Sequence, residues 1–68
     1  MQALVNGQLQ ELDPGLTIQS LVDALQNAPE GRGVAVALDG EVVPRGAWDR
    51  TLLREGSRVE IVAAVQGG

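Results

Sequence analysis

The stretch Arg58-Val59-Glu60-Ile61-Val62-Ala63-Ala64-Val65, near the end of a 68-residue chain, sets the architecture. Val59 and Ile61 alternate with Arg58 and Glu60, the period-two signature of a strand with one buried face. From Ile61 to Val65 every residue is apolar, so the strand becomes apolar on both faces. A strand of that kind belongs in the middle of a sheet. Directly behind it stand Gln66-Gly67-Gly68. Glycine has no Cβ, so a partner's backbone can approach such a stalk closely, and the stalk can enter a narrow slot. Chain ends are also often small and frayed. Taken alone, the three residues leave both meanings open.

Working outward, two more stretches pair strands locally. Ala3-Leu4-Val5 and Gln8-Leu9-Gln10-Glu11-Leu12 flank Asn6-Gly7, while Val34-Ala35-Val36-Ala37-Leu38 and Glu41-Val42-Val43 flank Asp39-Gly40. Asn-Gly and Asp-Gly are the strongest short-range hairpin signals, because a type I′ turn needs positive φ at both central residues. Leu9 and Leu12 have polar neighbours, so the second strand reads as an edge. Pro14-Gly15 ends the first hairpin and Pro44 the second.

Between the hairpins, residues 16–27 predict the one helix. Thr17 is a suitable N-cap, and Leu16 and Leu21 are spaced for a hydrophobic staple. Ile18, Leu21, Val22 and Leu25 fall at i, i+3, i+4 and i+7, a single apolar stripe facing the core. Pro29 and Gly31-Arg32-Gly33 stop the helix. Residues 45–54 are the least regular. They predict a loop with about one helical turn, tied down by Trp48 and by Leu52 or Leu53. Glu55-Gly56-Ser57 is a turn into the last strand.

Helix and sheet each present one apolar face, and the simplest packing lays the helix across the sheet. The first and last strands are the more apolar, so they belong side by side in the centre with their hairpin partners outside. The expected fold is α+β, a mixed sheet of four to five strands with one helix across it. This is the β-grasp, or ubiquitin-like, arrangement over residues 1–65, followed by a flexible Gly-Gly tail at 66–68.

Composition excludes several functions. Apolar residues make up 44% of the chain and charged ones 21%, the balance of a folded protein rather than a disordered one. With no cysteine and no histidine, thiolate chemistry and the usual general base are missing. All five cations are arginines, so the chain has no ε-amine for a Schiff base or isopeptide bond. A net charge of −4 disfavours nucleic-acid binding, which needs basic surface. No segment approaches the ~20 apolar residues of a membrane span, and no signal sequence is visible. A cytoplasmic setting is the default expectation, with no bound cofactor or metal and no catalytic residue of its own.

Several motifs together resemble a known family. They are Asn6-Gly7 after a short strand, Leu16-Thr17-Ile18 with Leu21, and the run Val36 to Arg45 with Trp48. Gly56 to Val62 and the ending Ala64-Val65-Gln66-Gly67-Gly68 complete the set. The combination is similar to the ThiS family, sulfur carriers of thiamine thiazole biosynthesis. Ser57 stands where family members often carry Asp, and it can make the same kind of local turn bond more weakly. Ala3 stands where a larger aliphatic is common.

The resemblance implies a function. A ThiF-like adenylating enzyme, using ATP and Mg²⁺, would convert the Gly68 carboxylate to an acyl-adenylate. Sulfur from cysteine, delivered by a desulfurase, would replace the adenylate. The Gly68 thiocarboxylate would then serve a ThiG-like thiazole synthase. Gly67 and Gln66 would thread the partner's channel, and the exposed apolar part of the sheet would be the docking surface. Arg45 and Trp48 are candidate contacts at its rim. Each also has a plainer reading, Arg45 as a solvated arginine and Trp48 as a lid over the core. Alternatives for the whole chain are the small subunit of molybdopterin synthase, a ubiquitin-like protein modifier, and an interaction module with an inert tail.

Overall fold

The computed structural model describes residues 1–26 and 33–63. The tail residues Gln66, Gly67 and Gly68, the end of the predicted last strand at Val65, and the helix stop at 29–33 up to Arg32 lie outside them.

Among the described residues five strands form one mixed sheet: β1 Gln2–Val5, β2 Gln8–Glu11, β3 Val34–Leu38, β4 Glu41–Val42 and β5 Arg58–Ala63. Their order is β2-β1-β5-β3-β4. β5 is therefore central, parallel to β1 and antiparallel to β3. Both expected hairpins form, with Asn6 and Gly7 at φ 51° and 81° and Asp39 and Gly40 at 49° and 89°. This strand order, with a single described α-helix packed across one face, is the expected β-grasp arrangement.

The helix α1 runs Ile18–Gln26. Thr17 caps it: its Oγ1 accepts a hydrogen bond from the Ser20 backbone N–H at 3.1 Å, satisfying one of the orphan amides of the first turn. Ile18, Leu21 and Val22 are buried against Val5, Val36, Val59 and Ile61 of the sheet. Each such side chain contributes about 1.5–3 kcal/mol of burial as an upper figure. Leu25 departs from the expected stripe. It is 44% exposed, one turn further along than Val22 and outside the buried cluster.

Residues 45–54 are more ordered than their irregular sequence predicts. Arg45–Arg50 form a six-residue 3₁₀ helix. Trp48 is only 1% exposed and its indole Nε1–H donates to the Val43 carbonyl at 2.9 Å. Ile18 N–H donates to Thr51 O, and Leu53 N–H to Leu16 O, which sews the segment to the entrance of α1. Leu53 is buried, whereas its neighbour Leu52 is exposed. Ser57, buried, closes the following turn: its Oγ accepts from Arg54 N–H at 2.8 Å and its own N–H donates to Arg54 O at 2.9 Å.

Candidate functional site: the central strand and the open sheet face

β5 leads into residues 64–68, so what holds β5 decides how firmly any tail is rooted. Leu4 N–H donates to Ser57 O and Asn6 N–H to Val59 O, both at 2.8 Å, along the β1 side. On the other side the β3 pairing runs from Leu38↔Val59 to Val34↔Ala63. Two side chains extend these ladders. Asn6 Oδ1 accepts from Ile61 N–H at 2.8 Å, and Asp39 Oδ1 accepts from Arg58 N–H at 2.9 Å. The first residue of each hairpin turn thus binds the central strand. On the β2 edge of the sheet, the Met1 ammonium donates to Glu11 Oε2 at 2.6 Å and to Leu12 O at 2.8 Å. The bond to Glu11 holds its pKa above the ordinary 8.0.

α1 covers one face of the sheet. The other face carries the residues that alternate with the core. Directly opposed residues share a face, and the register aligns Leu9, Leu4 and Arg58 in one row, Glu60, Ala37 and Val42 in a second, and Val62 with Ala35 in a third. Leu9, Val42 and Val62 are 63%, 77% and 63% exposed. Arg58 and Glu60 place one charge of each sign in the middle, on the strand next to the tail. Leu4, Asn6, Gly7, Arg58 and Glu60 line a shallow concavity of about 500 Å³ there. Such a surface, apolar at its margins and charged at its centre, can dock a protein partner. Among the described residues no three metal-ligating side chains cluster, and no helix is long and apolar enough to cross a membrane.

The model of the ThiS family matches residues 3–68, nearly the whole chain and the tail with it. The chain belongs to the ThiS family. The sulfur carrier protein ThiS of Escherichia coli is 28% identical over 68 residues, covering all of both chains. The crystal structure of thiamine biosynthesis protein ThiS from Geobacter metallireducens superposes with a TM-score of 0.81 at 34% identity, again over 100% of both chains. A thiazole synthase of Paramagnetospirillum magneticum is 29% identical over the same 68 residues, which span only 20% of that protein's length. A ThiS-like unit is thus found both as a small protein and within a much longer one.

In this ThiS-family chain the two candidate rim residues sit apart from the open face. Trp48 is inside the core, where it acts as a lid and offers no surface to a partner. Arg45 is exposed, but it lines a shallow depression with Gln19, Gly46 and Asp49 on the helix side. Sequence reasoning missed Arg58 and Glu60 as the centre of the open face, and missed the second role of Asn6 and Asp39. The alternation within β5 carried the first signal. The second had only a faint one, a carbonyl-bearing side chain at a turn position that glycine could also fill.

Proposed function

We propose that this chain is a sulfur carrier of thiamine thiazole biosynthesis and that Gly68 carries the reacting carboxyl. The observation behind this is the family match through Gly68, on a fold whose central strand leads into Val65-Gln66-Gly67-Gly68. A carboxylate is a poor electrophile. A ThiF-like enzyme would use ATP and Mg²⁺ to form the acyl-adenylate, releasing pyrophosphate. The outer sulfur of a desulfurase persulfide, drawn from cysteine, would displace AMP to form an acyl disulfide, and a thiol reductant would cleave its S–S bond, leaving a disulfide and the Gly68 thiocarboxylate. That anion is the sulfur donor to a ThiG-like thiazole synthase, the activity named for the longer relative. The chain is then a co-substrate of its partners in the cytoplasm, not a catalyst.

The residues present suit this role. The chain has no Cys, His or Lys to intercept an activated acyl group or to compete for sulfur. The glycines permit passage through a narrow channel. The open face, with Leu9, Val42 and Val62 around Arg58 and Glu60, is the docking surface. The test is intact-protein mass spectrometry after incubation with the activating enzyme, ATP, Mg²⁺ and a sulfur source. The expected result is the mass gain of one oxygen-to-sulfur exchange, mapped to Gly68. A chain that never gains it overturns the proposal. Deleting Gly68 abolishes transfer with the fold intact. Gly67→Ala slows adenylation by crowding the channel, and normal adenylation of that variant would remove the narrow-slot argument.

A further inference from the structure

β5 is held unequally along its length. On the β3 side, pairing continues to Ala63. On the β1 side it stops earlier: Val5↔Val59 is the last register pair, and Asn6 N–H→Val59 O the last backbone bond. There the neighbouring chain swings away through the Asn6-Gly7 turn. The next N–H of β5 facing that side belongs to Ile61, in a partly buried place, and no strand is left to receive it. An unmet buried donor is costly. The Asn6 carboxamide fills the gap by accepting that N–H at 2.8 Å, across 55 residues of sequence. Among the described residues, it is the last group on this side to hold β5 before residues 64–68.

We infer that Asn6 is a positioning residue for the reacting end of the chain: through Ile61 N–H it keeps Ile61–Ala63, the residues that precede 64–68 in the sequence, in the sheet. The inference rests on the reading of Gly68 as the reacting carboxyl. If β5 loosens at Ile61, the residues that loosen must be ordered again when the carrier enters an enzyme's channel. The consequence falls on productive binding of the carrier rather than on the chemical step.

Asn6 has two separable roles, since its φ of 51° is left-handed as well. Glycine satisfies the turn and lacks the acceptor. Aspartate keeps the acceptor and tolerates the turn. Asp39 supplies the control, because its carboxylate makes the matching bond at the other end of β5, to Arg58 N–H.

The experiment compares the full-length wild type with Asn6→Gly, Asn6→Asp and Asp39→Gly. It records amide hydrogen exchange at Ile61 and Arg58, and pyrophosphate release by the activating enzyme, supplied with ATP, Mg²⁺ and a sulfur source, against carrier concentration. In Asn6→Gly the Ile61 amide exchanges about tenfold faster, and KM for the carrier rises several-fold at unchanged kcat. Asn6→Asp restores both. Asp39→Gly speeds exchange at Arg58 and leaves KM at the wild-type value. A wild-type KM in Asn6→Gly, an equal rise in Asp39→Gly, or failure of Asn6→Asp to restore KM overturns the inference. If the wild type itself releases no pyrophosphate, the sulfur-carrier reading fails first, and the positioning role falls with it.

Discussion

Asn6-Gly7 and Asp39-Gly40 share one backbone. Both are two-residue turns with positive φ at each position, and in both the first side chain accepts an N–H of β5. Their surroundings differ. The Arg58 N–H held by Asp39 is exposed, so water can replace the carboxylate. The Ile61 N–H held by Asn6 is partly buried, where water is a poorer substitute. A backbone bond, Asp39 N–H to Arg58 O at 2.8 Å, also reinforces the second turn against the same residue. Identical turn chemistry therefore carries unequal weight, because the worth of a hydrogen bond depends on what its donor meets once the bond is gone.

The largest expected effect tests that inequality directly. Alanine at either position is strained at positive φ, by about 1–2 kcal/mol. Asn6→Ala also leaves Ile61 N–H unmet, for a total of about 2–4 kcal/mol in urea unfolding. Asp39→Ala should stay at about 1–2 kcal/mol. Equal losses would break the comparison. A smaller effect tests the likeness instead. An added Cβ at Gly7 or Gly40 meets nothing within 4 Å, so only backbone strain opposes it. Gly7→Ala and Gly40→Ala should each lower stability by about 1 kcal/mol, and by the same amount within error. A marked difference would show that one turn is constrained by more than its dihedrals.

The smallest effect belongs to the first hairpin only. The Met1 ammonium bonded to Glu11 on β2 has a pKa raised above 8.0 in the folded state. Its contribution is therefore complete below 8.0 and is lost as pH rises through the higher, folded value. Thermal melts should fall gently in alkaline buffer, and Glu11→Gln should flatten that slope. A slope unchanged in Glu11→Gln would assign the alkaline loss to other groups.

The legible parts of the chain share a common property. Asn6-Gly7, Asp39-Gly40 and the Thr17 cap act within a few residues, so their signals lie in adjacent letters. The central place of β5 was legible because residues 61–65 turn apolar on both faces, the pattern of an inner strand. Residues 45–54 were not, because their order comes from distant partners: Trp48 in the core, Thr51 O and Leu53 N–H on the two sides of the α1 entrance. Leu52 and Leu53 are the same residue type one position apart, and only the packing shows that Leu53 is the buried one. Leu25 fits the helical stripe as well as Val22 does, yet lies outside the buried cluster.

The candidate site divides the same way. Gln66-Gly67-Gly68 is a motif readable letter by letter, and the family match includes it. Arg45 and Trp48 came from the family resemblance as candidate rim contacts, and a sequence motif does not report which side of a sheet a side chain reaches. Turn chemistry, helix capping, strand period and the absence of competing nucleophiles were all settled by local sequence, since each depends on covalent neighbours or on composition. Which strand runs beside β5, where β1 leaves it, and hence that Asn6 must complete its ladder, depended on the tertiary arrangement. That is a contact between residues 55 positions apart, and a hydrogen bond at such a distance exists only after the sheet has assembled.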